Sequence, residues 1–243
     1  MQRRTPLSLC VVVLLISSGC QQPRRFPAEI ISRARPAESG VLAADKGSAF
    51  PSGNFDYYLF TLSWSPEYCH GHSNSPECDG AHPGFVVHGL WPQFKNGQWP
   101  SGCPSAPGLS DPSSMLDIMP AAYLIQHEWA THGACSGLTA SHYFGVIRKA
   151  YDSIQIPLPL VSPSRTITRS AGQIKQMFTD ANLGIFSDDI AVRCHNRYLS
   201  AVEFCLGKDL QPTACQGVRD CTANSIRIPA ARWSKRSATP DQT

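Results

Sequence analysis

The sequence predicts a single α+β domain with a central, mostly antiparallel sheet, several helices and disulfide staples. Three observations carry that expectation. Strand-like segments lie at both ends of the body and helix-like segments in its middle, rather than alternating along it. Eight cysteines, an even number, follow an export-type leader, which implies an oxidising compartment and up to four disulfides. The 243 residues suffice for one sizeable core, and no segment repeats.

In chain order, MQRR supplies a positive start and Leu7 to Ile16 a short apolar run. The run is too short to span a membrane and suits a signal peptide over residues 1–20. SSGC then ends at Cys20. A small residue before cysteine resembles a lipoprotein cleavage site, although Ser17 stands where leucine is usual. An ordinary signal peptide cut nearby is the alternative. The first reading puts a lipid anchor on Cys20 of a membrane-anchored protein; the second gives a periplasmic or secreted one. Residues 21–50 hold Pro23, Pro27, Pro36 and four arginines without apolar periodicity, and read as a flexible leader. The folded body runs over 51–235 and a short tail over 236–243.

Within the body, Phe55–Trp64 is aromatic-rich and reads as a buried strand. Gly84–Val87 leads into His88 as a second, short strand that ends there. Pro120–His132, Ser141–Ile154 and Ala171–Asn182 read as helices, the last with Ser170 as its N-cap. Asp189–Cys194, Tyr198–Leu206 and Ser225–Pro229 read as strands, with His195-Asn196 as the turn between the first two.

The chain carries a net charge of +3, but unevenly. Residues 1–50 hold seven basic and three acidic residues, leaving 14 basic and 15 acidic in the rest. The body is near neutral, so no global field recruits a polyanion; such binding must come from a local site.

His127–Gly133, HEWATHG, superficially matches the zinc-protease pattern H-E-x-x-H. In that pattern the histidines are four apart and share a helix face. Here His127 and His132 are five apart, about 140° around a regular helix. They can meet only if the helix ends between them, which Gly133, just past the second histidine, makes possible, and the result is then a cluster at a helix end. No C-x-x-C pair occurs either, so the expected metal content is none. A second histidine motif, Phe85–Gln93 or FVVHGLWPQ, sets His88 beside Trp91, a proton carrier next to a stacking surface. Several histidines and a glutamate without a metal suit cleavage of RNA by internal transesterification. A base takes the 2′-hydroxyl proton, an acid protonates the leaving 5′-oxygen, and positive charge supports the phosphorane.

HGLWP and HEWxxHGxC resemble the two active-site segments of the ribonuclease T2 family, the secreted acid ribonucleases, in their broad-specificity bacterial periplasmic form. FDYYLFTLSWSPEYC and the spacing of Cys194, Cys205, Cys215 and Cys221 are similar to theirs too. The resemblance covers residues 54–230 and makes 51–235 a ribonuclease domain. It implies His88 as general acid and His132 as general base, with Glu128 polarising the site. It implies that His127 holds the phosphate and Trp91 stacks on a base. It also implies the disulfides Cys69–Cys78, Cys103–Cys135, Cys194–Cys221 and Cys205–Cys215. The expected substrate is single-stranded RNA, the products 2′,3′-cyclic phosphates and then 3′-phosphates, with no cofactor and a monomeric enzyme. DNA, lacking the 2′-hydroxyl, should be inert.

Two positions depart from the family. Thr131 replaces the lysine usual before the second-motif histidine, removing a charge that would support the transition state. Gln93 stands where aspartate is common in adenine-favouring relatives; an amide both donates and accepts, which relaxes base preference. His70, His72, His82, His142 and His195 read as surface residues, and Asp188-Asp189 as a solvated turn. A non-catalytic RNA binder of the same fold is the rival reading. It would call for a lost histidine, and His88 and His132 are both present.

Overall fold

The computed structural model describes residues 53–78, 84–104 and 106–231. The signal peptide, Cys20, the leader, the tail over 236–243 and His82 lie outside the described residues.

Among the described residues, six strands and five helices build a mixed α+β domain, in the order β1 (Tyr57–Trp64), α1 (Ser65–Gly71), β2 (Phe85–Gln93), α2 (Ala122–Thr131), α3 (Ala140–Ser153), α4 (Leu158–Val161), β3 (Ile167–Arg169), α5 (Ala171–Ala181), β4 (Ile190–His195), β5 (Tyr198–Leu206) and β6 (Ile226–Ile228). The sheet order is β2-β1-β5-β6-β3, with β4 also on β5. All pairings are antiparallel except the single parallel contact between β5 and β6 at Tyr198 and Arg227.

β1 is central and buried on both faces. Tyr58, Phe60, Leu62 and Trp64 join the main core with Tyr143, Phe144 and Ile147 of α3 and Ile174 and Phe178 of α5. Tyr57 and Leu59 face the other way, into a small cluster with Cys205 and Trp91. α5 starts with a capping box: Ser170 Oγ accepts from Gln173 N and Gln173 Oε1 accepts from Ser170 N, at 3.2 and 2.9 Å. Disulfides join Cys69 to Cys78, Cys103 to Cys135, Cys194 to Cys221 and Cys205 to Cys215.

Three local expectations need correction. β2 does not end at His88 but runs on to Gln93, because Pro92 is tolerated on a strand that ends the sheet order. The β4–β5 turn is Asn196-Arg197 rather than His195-Asn196. His195 still pairs with Tyr198, and the two turn residues take φ of 48° and 68°, the double left-handed geometry of a two-residue hairpin. Asp189 is not solvated: it is buried, and its Oδ2 accepts from Phe186 N at 2.8 Å to close a 3-10 turn.

Candidate active site

The site begins with an irregularity in β2. Thr61 pairs with Gly89 and Leu62 with Val87, so His88 is an extra residue, a β-bulge. The bulge re-aims its half-buried side chain. Ser63 Oγ, on neighbouring β1, lies 3.0 Å from His88 Nδ1 and fixes the ring plane, the tautomer deciding which group donates. Beyond the bulge, Gly89 brings a second element close. A Cβ there would collide with the Glu128 carboxyl and the Trp91 indole nitrogen, so only glycine lets α2 approach.

α2 ends at Thr131, and His132 is its C-cap, with φ of −122°. His127 and His132 are therefore not on one regular helix. The His132 N–H donates to Glu128 O at 3.0 Å, and Cys135 N donates to His132 O at the same distance. Cys135 is pinned to Cys103, so a disulfide fixes the segment that carries His132. Ring contacts, edge-on to His88 and tilted to His132, complete the cluster. Trp91 stands 5.3 Å from His132 on one side and 5.3 Å from His88 on the other, centroid to centroid.

Glu128 is almost fully buried between these rings. Its Oε2 accepts from Trp91 Nε1 at 2.6 Å, and its Oε1 lies 3.6 Å from His88 Nε2. Burial pushes its carboxyl up to about 8, against a smaller downward pull from the indole N–H. Burial also lowers His88, and the charge of His127 adds to it. His132 is held down to about 4, first by burial and then by His127 and His88. Its Nδ1 is buried with no hydrogen-bond partner among the described residues. An imidazole that stays neutral in mild acid, across Trp91 from a second that faces a buried carboxyl, is an arrangement able to take up a proton on one side and pass one on the other.

A cavity of about 360 Å³ opens beside the cluster, lined by Trp91, Gln93, Trp99, His132, Arg193 and Glu203, among others. Its size falls within the range of small-molecule sites.

His88, Trp91, Glu128 and His132 are thus brought together, and Gln93 reaches the same cavity from the end of β2. His127 is exposed on α2 and acts on both other histidines through its charge. Thr131 is exposed at the last turn of α2. Sequence reasoning missed Ser63, Trp99, Arg193, Glu203 and Arg219. Only Glu203 left a signal: a lone carboxylate in the otherwise apolar second half of YLSAVEFCL.

The class follows from comparison with known proteins. The Ribonuclease T2 family profile matches residues 55–221. A ribonuclease of Aeromonas hydrophila is 42% identical over 97 residues, 39% of this chain and 42% of that protein, so under half of that relative's length is spanned. Ribonuclease DdI of Dictyostelium discoideum is 29% identical over 204 residues, 73% of this chain and 86% of that one. Among solved structures, ribonuclease MC1 from bitter gourd seeds superposes with a TM-score of 0.56 at 26% identity, covering 71% of this chain and 99% of that one. A variant of MC1 is solved in complex with 5′-UMP. All of these are RNA-cleaving enzymes by name. The chain belongs to the ribonuclease T2 family.

Proposed function

We propose that this chain is an endoribonuclease that cleaves single-stranded RNA by metal-independent acid–base transesterification. His132, kept neutral, takes the ribose 2′-hydroxyl proton. The 2′-oxygen attacks phosphorus, and His88 gives a proton to the departing 5′-oxygen. His127 holds the phosphate. Glu128 shares the His88 proton: in the empty site burial favours a neutral carboxyl and a neutral imidazole, and an arriving phosphate anion draws the proton onto His88. Trp91 stacks on a base, and Gln93 meets its edge without committing to one pattern of donors and acceptors. The first product is a 2′,3′-cyclic phosphate, and water in place of the leaving group gives the 3′-phosphate. No cofactor takes part, DNA is inert, and the enzyme works as an exported monomer, periplasmic or secreted, with or without a lipid on Cys20.

The observation that supports this reading most is the pairing of His132, depressed to about 4, with His88 across Trp91. The test uses residues 21–243 from an oxidising host with single-stranded RNA in excess EDTA. Wild type should leave 2′,3′-cyclic ends. His88→Ala should lose about 10²–10⁴-fold in rate. Cleavage abolished by EDTA and restored by zinc would overturn the mechanism. Initial rates at pH 5 on the four homopolymers should lie within about tenfold of one another, less than one good base contact is worth at its upper range; a single dominant substrate would contradict the role given to Gln93.

A further inference from the structure

Glu203 is the second carboxyl of this region, and the mechanism does not use it. It sits on β5 directly opposite Thr61 of β1 and Ala191 of β4, on the sheet face that carries Leu59 and Cys205. It is 5% exposed, yet it lines the cavity beside Trp91 and Gln93. Its Oε2 is buried and has no hydrogen-bond partner among the described residues. Its Oε1 stands 3.7 Å from Arg193 Nε, beyond hydrogen-bond distance. Thr61 Oγ1, on its cross-strand partner, is also buried and unpartnered among the described residues, as is His132 Nδ1. Three of four such atoms therefore belong to this face and its cavity. A buried acceptor left unmatched is costly unless a visitor satisfies it.

We propose that Glu203 determines base specificity: its carboxylate accepts hydrogen bonds from the adjacent N1–H and N2–H donors of a guanine base held in this cavity. Guanine alone among the RNA bases sets two N–H donors side by side on its Watson–Crick edge. Adenine and cytosine set an acceptor next to their amino group, and uracil flanks its N–H with two acceptors. A carboxylate offers acceptors only, so it matches guanine and repels the others. This rests on the proposed ribonuclease reading and refines its base site.

Charge state modulates the preference. Arg193 of β4 faces Glu203 and is itself held by donating from Nη1 to Arg219 O at 2.8 Å. Asp220, paired with Lys175 of α5, opposes ionisation, Tyr57 lies on β1, and Arg219 and His132 share the cavity. Burial outweighs Arg193 and raises the carboxyl to about 7. At pH 5 the neutral acid has one donor and one acceptor and fits the broad preference expected there; at pH 8 the carboxylate selects guanine.

The test is equilibrium binding of 5′-GMP and 5′-AMP to the full chain, exported from an oxidising host. At pH 8 wild type should bind 5′-GMP about tenfold more tightly, the worth of one bidentate base contact. At pH 5 the ratio should shrink toward one. In Glu203→Gln, whose amide can pair with adenine instead, the pH 8 ratio should fall by about tenfold or invert. Because the ratio cancels any shared loss from a misplaced Arg193, a purely structural role leaves it unchanged. A wild-type ratio near one at pH 8, or a ratio that E203Q does not move, overturns the proposal while RNA cleavage stands. Absence of both nucleotide binding and RNA cleavage overturns the ribonuclease reading with it.

Discussion

On one face of β1, Tyr58, Phe60, Leu62 and Trp64 disappear into the core against α3 and α5. On the other, Tyr57, Leu59, Thr61 and Ser63 run beside Trp91, Glu203 and His88. The backbone is shared, and so is the degree of burial: Phe60 is 0% and Thr61 2% exposed. What differs is how many of the buried polar atoms go unsatisfied. Groups on the core face are apolar and need only close packing, with Trp64 Nε1 as the one unpartnered polar atom of that face among the described residues. On the site face, polar atoms are buried without partners, so the face gives up stability and gains groups ready for a substrate. Burial alone cannot tell a core from a site; a cluster of unmatched polar atoms, as at Thr61, Glu203 and His132, can.

The sharpest way to break that distinction is to substitute neighbouring residues that point in opposite directions. Phe60→Ala should cost about 3–5 kcal/mol, as a large cavity in a packed core does. Thr61→Val removes an unpaired buried hydroxyl and keeps the shape, so it should be neutral or stabilise by up to about 1 kcal/mol. Urea unfolding of both variants checks this. If Thr61→Val cost as much as Phe60→Ala, the two faces would be one core.

This difference also explains what the sequence could reveal. Strand and helix positions were legible because apolar periodicity and caps are local: Ser170 and Gln173 announce α5 within four residues. The histidines were legible through their motifs. The bulge at His88 was not, since it is defined by a register between β1 and β2 that only the paired strands express. Glu203, Arg193 and Arg219 share a cavity with Trp91 though more than a hundred residues separate them from it, and no local pattern encodes that meeting. The hairpin turn slipped by one residue because Arg197 adopts a positive φ that its type disfavours, whereas Asn196 adopts one readily.

The next test asks whether buried acids on this side of the molecule carry a measurable cost. Glu128 has its folded value raised above that of the unfolded chain. Its contribution is therefore fully present below about 4.5 and lost as pH rises through about 8. Over that window the unfolded chain ionises Glu128 while the folded protein does not, so Glu128 lowers wild-type stability as pH rises, while the depressed His132 and His88 act in the opposite direction and are present in both proteins. Glu128→Gln cannot ionise. Measured by urea unfolding at intervals from pH 4.5 to 8, it should gain on wild type by on the order of a few kcal/mol across the window. Glu203 persists in both proteins, so its own titration cancels in the difference. A constant gap between the two curves would mean that Glu128 ionises as easily folded as unfolded, and that the site face tolerates charge.

The smallest effect concerns the solvent side of the cluster. Thr131 is exposed at the last turn of α2, one residue before His132. A cation there has two favourable consequences: it complements the negative end of the helix, and it adds positive charge near the phosphorane. It also favours the neutral form of His132, which the proposed base requires. Thr131→Lys should therefore raise kcat/KM on single-stranded RNA by about threefold, a gain typical of one exposed charge rather than a buried one. Because the group is exposed, the gain should shrink as ionic strength rises and the screening length falls below about 10 Å. Equal or lower activity at every salt concentration would mean that the charge missing at residue 131 is already supplied by His127, which would then be the cation on which the phosphate depends.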